Sequence, residues 1–287
     1  MDGRIDQVIA NSTFRRNIYN MIPQGASRIL DFGCGNGGLL FRLKRDKGCT
    51  ELYGVEPDRN ESALAAQVLE KVWHDNIERG FEPFEDYRGF FNYIVLHDVA
   101  EHLYDPWLTM TKIRELLADG GKILLATPNL SYWGIQREIL AGRFPYGPGL
   151  WHTGHLRWYT PSSLIELLLI SGLAINCLYL EIPDPVDLKR FATGQPVTSF
   201  QFPPPEYQQG LEARDIVTVS YGGDISKYCP VFYAHKLIAD CGKGQLVFKP
   251  VPITNNCPML AEMRKALDLP FDIHNPPPMK PLIGNWN

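Results

Sequence analysis

One stretch of glycines constrains this chain more than any other feature. Asp31-Phe32-Gly33-Cys34-Gly35-Asn36-Gly37-Gly38 follows the apolar run Arg28-Ile29-Leu30 and leads into Leu39-Leu40-Phe41-Arg42-Leu43. A strand that turns sharply into a helix gathers unsatisfied backbone N–H groups and the positive end of the helix dipole at one point, and glycine lets a ligand approach that backbone closely. Gly33, Gly35 and Gly38 also satisfy the spacing G-x-G-x-x-G, so the glycines alone suit a dinucleotide pyrophosphate as well as another nucleoside ligand.

Two acids narrow the choice. Asp31 ends the strand where the dinucleotide fingerprint usually has an apolar residue, whereas a carboxylate there suits a sulfonium cofactor with a free amino group. Glu56 closes the second strand, Glu51-Leu52-Tyr53-Gly54-Val55, where either cofactor class places an acceptor for the ribose hydroxyls.

The flanking sequence alternates between the two periodicities. A leading helix is expected from about Asp6 to Ile22, a second helix from Asn60 to Lys71, and a third from Pro106 to Leu117 before the turn Asp119-Gly120-Gly121. Further strands are expected at Tyr93–Leu96 and Lys122–Ala126. Near-continuous apolar strands separated by helices predict an α/β fold, a doubly wound and mostly parallel sheet with helices on both faces. Residues 1–238 read as one domain with loop insertions at about 130–160 and 183–228, and 239–287 as a Pro-rich C-terminal extension. Within the domain, Thr160-Pro161 opens an apolar helix to Ile170, and strands are expected at Ala174–Ile182 and Val231–Leu237.

Composition sets limits on partners. With 287 residues, 45% hydrophobic and 21% charged, the chain can bury a large core. A net charge of -4 provides no basic field to gather phosphate backbones, so a small-molecule or carbohydrate substrate fits better than bulk nucleic acid. The six cysteines form no C-x-x-C pair and read as reduced thiols of a cytoplasmic protein. Met1-Asp2-Gly3-Arg4 opens without an apolar h-region and no later window reaches a membrane-spanning run, so a soluble, unexported protein is expected.

The ordered segments D-F-G-C-G-N-G, G-V-E-P-D, H-D-N-I-E, L-H-D-V-A-E-H-L-Y-D-P and A-D-G-G-K-I-L-L-A-T-P-N, over roughly Arg16 to Leu180, resemble the class I S-adenosylmethionine-dependent methyltransferases. The resemblance implies a Rossmann-like sheet with an antiparallel last strand. It also implies S-adenosylmethionine as cofactor, held by Asp31, Gly33, Cys34, Gly35, Gly37, Glu56 and Pro57. Asp75, Asn76 and Ile77 would then lie around the adenine, and His97 beneath the methionine moiety.

Methyl transfer is an in-line displacement that needs a positioned nucleophile and a group to take its proton. Asp98, Glu101 and His102 would share one face if the segment after the fourth strand is helical, and a second polar segment runs Trp151-His152-Thr153-Gly154-His155-Leu156-Arg157-Trp158. Similar E-x-x-E-H runs occur in ubiquinone-pathway O-methyltransferases and small-RNA 2′-O-methyltransferases. There, two acids and two histidines bind a divalent ion. That resemblance implies a Mg, Mn or Zn site at Asp98, Glu101, His102 and His155, with an aspartate standing in place of the first glutamate. Without an ion, His97, His102 or His155 would act as general base, and Glu101 and His102 could equally serve to cap and orient the loop.

The stretch from Gly142 to Pro161 is also similar to methyltransferase domains of bacterial surface-polysaccharide pathways. O-methylation of a sugar, a glycan precursor or another small hydroxylated metabolite is therefore expected. An RNA terminal-ribose 2′-O-methyltransferase and a non-catalytic cofactor-binding partner protein are the alternatives.

Overall fold

The computed structural model describes residues 14–140, 142–182, 199–202, 209–210, 212–213, 217–220, 233–244 and 279–282. Its strands are β1 (Ser27–Phe32), β2 (Thr50–Val55), β3 (Lys71–Trp73), β4 (Phe91–His97), β5 (Leu117–Pro128), β6 (Leu173–Glu181), β7 (Ser199–Phe202), β8 (Val217–Ser220), β9 (Lys236–Lys243) and β10 (Met279–Leu282). The helices are α1 (Arg16–Met21), α2 (Gly38–Lys47), α3 (Arg59–Ala65), α4 (Pro106–Leu116), α5 (Trp133–Leu140) and α6 (Pro161–Ile170).

Eight strands form one sheet in the order β10-β6-β9-β5-β4-β1-β2-β3, and β7 pairs with β8 separately. Only β9 runs against its neighbours in the large sheet, antiparallel to both β5 and β6, as the expected antiparallel last strand should. Both faces are covered. Leu30, Phe32, Ile94, Leu96, Ile123 and Leu125 pack on one side, while Ile29, Val95, Leu124 and Ala126 pack on the other, the period-two alternation of a sheet buried twice.

Local chemistry explains where helices start. The Asp58 side chain accepts from the amides of Asn60 and Glu61 to cap α3, and Asp105 caps α4 ahead of Pro106. Thr160 and Ser163 form a capping box at α6, as Thr160-Pro161 suggested. The left-handed Gly48 (φ 63°) ends α2.

Several boundaries differ from expectation. The helix read from Asn60 to Lys71 stops at Ala65, because Lys71 to Trp73 is already β3, paired with β2. Strand β5 starts at Leu117 and carries Asp119-Gly120-Gly121 within it. The 130–160 insertion contains α5, and the strand expected at Val231–Leu237 is β9, so the boundary placed at 238 falls inside a central strand. Asp6 to Thr13, Pro203 to Pro205, Cys229, Cys257 and Pro276 to Pro278 lie outside the described residues. No described helix is long and apolar enough to cross a membrane.

β1 hands the chain to β2 on one side, while β4 lies on its other side, so the strand order reverses between β1 and β4. A doubly wound sheet opens a crevice at that reversal, at the carboxyl ends of the strands. The glycine turn and His97-Asp98 meet there.

Candidate functional site

Past β1 the backbone takes left-handed conformations at Gly33 (φ 69°), Gly35 (φ 55°) and Gly37 (φ 83°), which glycine adopts without strain. A Cβ on Gly33 would come within 2.9 Å of Val99 Cγ2, so that position also has no room for a side chain. The Glu56 carboxylate ties this turn to the end of β2, accepting from the Gly35 amide at 2.8 Å and from the Asp58 amide at 2.9 Å.

Asp31 is wholly buried behind the turn. Arg15 Nη1 donates to both its oxygens at 3.2 and 3.1 Å, and Arg15 Nη2 donates to the Gly33 carbonyl at 2.8 Å. Burial pushes the Asp31 carboxyl up to about 6 against the pull of Arg15, with the Glu56 charge adding to the rise.

A cavity of about 510 Å³ opens at this point. Gly33, Glu56, Pro57, Asp75, Asn76, Ile77 and His97 all line it. Asp31, Cys34, Gly35 and Gly37 are not among its lining residues and act by shaping the turn. Cys34 is a packing residue, since a Cβ on Gly54 would come within 2.5 Å of its Sγ. Arg15 and Lys236 also line the cavity, and the sequence reading did not single them out. Arg15 is 16 residues from its partner Asp31, and Lys236 is 138 residues from Asp98, so no local spacing announces either.

Asp98 shows why the expected helical face does not form. Its φ is 57°, which takes the chain out of helical geometry before the short 3₁₀ turn Ala100–His102. Its Oδ2 accepts from Lys236 Nζ at 2.5 Å and lies 3.2 Å from His97 Nδ1. Burial alone would raise the Asp98 carboxyl, but the hydrogen bond and charge of His97, together with Lys236, hold it well below the usual carboxylate range. Burial lowers the His97 imidazole.

Asp98, His102 and Lys236 also line a second chamber of about 330 Å³, with His152, His155 and His235. The first cavity and this chamber therefore share a wall. His102 Nδ1 lies 2.9 Å from the Gly154 carbonyl and His155 Nδ1 lies 3.1 Å from the Leu150 carbonyl. A carbonyl can only accept, so each Nδ1 carries the proton and each Nε2 keeps a lone pair. His152 is the opposite: its Nδ1 accepts from the Gly154 amide at 3.1 Å, which leaves the proton of the neutral ring on Nε2. Burial lowers both His102 and His155 below the ordinary imidazole value, which favours the neutral ring in each.

Glu101 lies beneath the histidines, 1% exposed. Its Oε2 accepts from Thr127 at 3.0 Å, while Oε1 has no hydrogen-bond partner and faces His155 Nε2 at 3.9 Å. Burial and the neighbouring Asp98 push this carboxyl up to about 8. The Glu101 carbonyl accepts from the amides of Leu156 and Arg157 at 2.7 and 2.9 Å, which fixes the histidine loop onto the turn after β4.

The expected metal quartet is thus not assembled as a set. Among the described residues, the candidate ligand atoms that lie within 4.8 Å of one another belong to His102, His152 and His155. Asp98 is engaged by Lys236. An all-imidazole set suits Zn rather than Mg or Mn, and Glu101 Oε1 is the nearby carboxylate oxygen left without a partner.

Comparison with known proteins gives this geometry a setting. A family model described as a methyltransferase domain matches residues 10–178. A ubiquinone biosynthesis O-methyltransferase of Cereibacter sphaeroides is 28% identical over 76% of this chain and 80% of its own length. The enzyme of the same name from Bradyrhizobium diazoefficiens is 27% identical over 57% of this chain, which spans 64% of that relative's length. The crystal structure of an S-adenosylmethionine-dependent methyltransferase from Mesorhizobium loti superposes with a TM-score of 0.51 at 14% identity, covering 81% of this chain and 99% of that one, a likeness of fold.

Proposed function

Because this chain belongs to the methyltransferase-domain family and is an S-adenosylmethionine-dependent methyltransferase, we propose that it methylates a hydroxyl oxygen of a small acceptor, a sugar or glycan precursor first among them. The observation that carries this reading is the wall shared by the two chambers, where His102 offers a bare Nε2 beside the cofactor cavity. S-adenosylmethionine supplies an electrophilic methyl carbon and a good leaving group when bound.

Glu56 would accept from the ribose hydroxyls, and Asp75, Asn76 and Ile77 would enclose the adenine. Arg15 and His97 would face the methionine end. His102 Nε2 would take the acceptor's hydroxyl proton as the new oxygen–carbon bond forms and the sulfur–carbon bond breaks, leaving a methyl ether and S-adenosylhomocysteine. The Gly154 carbonyl holds His102 in the tautomer this requires. Should a divalent ion be resident, His102 and His155 would hold it through Nε2, with Glu101 Oε1 beside them. It would acidify the hydroxyl there. The buried thiols of Cys34, Cys49, Cys177 and Cys241 accord with a reducing, cytoplasmic setting.

A second reading is favoured by the relatives' names: a phenolic hydroxyl of a ubiquinone precursor as acceptor. Tritiated S-adenosylmethionine offered with methyl glycosides and with catechols separates the two. Tritium is expected in the glycoside ether, and His102→Gln should lower the rate by about 10²-fold or more with S-adenosylhomocysteine affinity within twofold. Tritium in the catechol alone selects the second reading, and an unchanged rate in the variant removes His102 as base.

A further inference from the structure

Beyond the histidine chamber lies a groove of about 650 Å³, within the size range of small-molecule sites, roughly 300–1,000 Å³. Tyr132, Trp133 and Trp151 supply ring surface to it, and Arg137, Glu138 and Arg143 supply charge. Leu150 lines both spaces: its carbonyl fixes His155, and the residue also forms the near wall of the groove. The rings continue from the groove back to the chamber, with Trp151 5.8 Å from Trp158 and Trp158 5.6 Å from His155.

We propose that this groove is a second acceptor subsite that takes a saccharide ring, so that the methylated sugar is one unit of a disaccharide or longer glycan. The proposal rests on the reading of the acceptor as a sugar hydroxyl. Its chemistry is that of the lining. The electron-rich faces of Trp133 and Trp151 attract the polarised C–H groups on one face of a pyranose. Glu138 and Arg143, held together by a 2.8 Å hydrogen bond, present ionised groups to the equatorial hydroxyls, and hydrogen bonds to ionised groups are the stronger kind. Arg137 stacks at 5.1 Å over Trp133 and pairs with Glu138, which fixes the ring and the acid together. A long alkyl tail in this groove would strip water from three charged side chains and return no hydrogen bond.

The test uses the full chain, tritiated S-adenosylmethionine and matched acceptors: the methyl glycosides of glucose, galactose, mannose and rhamnose, and the 1→3- and 1→4-linked disaccharides ending in each. For the sugar that is methylated, the two-ring acceptor should show a KM at least about tenfold lower than the one-ring acceptor. Trp133→Ala and Trp151→Ala should each abolish that advantage, the corresponding Phe variants should retain most of it, and Glu138→Gln should lose part. S-adenosylhomocysteine affinity, unchanged in all of them, reports an intact fold. Equal KM values for one and two rings, or an advantage that survives both Ala variants, overturns the subsite while leaving the sugar acceptor standing. Transfer to no glycoside overturns the acceptor reading, and the subsite with it. A decyl-substituted catechol whose KM advantage over catechol is lost in Trp133→Ala assigns the groove to an apolar tail and overturns the saccharide.

Discussion

At the scale of single residues, the site is governed by carboxylates kept out of water. Asp31 is the clearest case, because its folded-state value of about 6 lies above the ordinary carboxylate value of 3.8. A group so displaced favours the protonated fold. Its stabilising contribution is complete below about pH 4 and is lost as the pH rises through about 6, a change of about 3 kcal/mol. The difference in urea-unfolding free energy between the native chain and Asp31→Asn should therefore shift against the native chain from pH 4 to 7, and a flat difference would show that Arg15 fully compensates the buried charge. The places of Asp31 and Glu56 at strand ends were legible in the sequence because both flank a recognisable turn, whereas the burial of Asp31 against Arg15 was not. Nor was the role of Asp98, since its left-handed backbone and its pairing with Lys236 depend on a strand 138 residues away. The split between the tautomers of His152 and His155 depends on which backbone groups the loop presents, and residue type carries no trace of that.

At the scale of elements, capping chemistry was the dependable signal and strand length the weak one. Thr160-Pro161 announced α6, and the reciprocal bonds between Thr160 and Ser163 bear it out. Thr160→Ala should cost about 1 kcal/mol in chemical denaturation, and a change below a few tenths would mean that the apolar packing of α6 alone fixes its start. β3 was given no residues of its own because three are too few to display alternation after an Ala-rich helix. α5 was masked by Gly134 and by aromatics that read as loop, although Arg137 stacked on Trp133 is an i, i+4 pair. β9 was placed five residues too early, and the expected strand took Lys236 as its next-to-last residue. Lys236 is the first residue of the strand, turned toward Asp98.

At the scale of the molecule, the reversal of strand order between β1 and β4 determines where ligands can bind, and residues remote in sequence converge there. Ligand binding to the folded chain alone should register as stability. S-adenosylhomocysteine at a hundred times its dissociation constant should add about 2.7 kcal/mol to unfolding. Amide exchange should slow at Gly33 to Gly37 and Asp75 to Glu78; protection elsewhere and none at these segments would displace the cofactor from this cavity. The sheet order also bears on how the chain is made. β5 and β6 become neighbours only through β9, which leaves the ribosome after everything from Arg15 to Glu181. Until β9 inserts, a nascent chain carries two unpaired sheet edges that invite a chaperone or a neighbouring nascent chain. It also lacks Lys236. Ligand-binding competence should therefore appear late in synthesis, in the same step that closes the sheet.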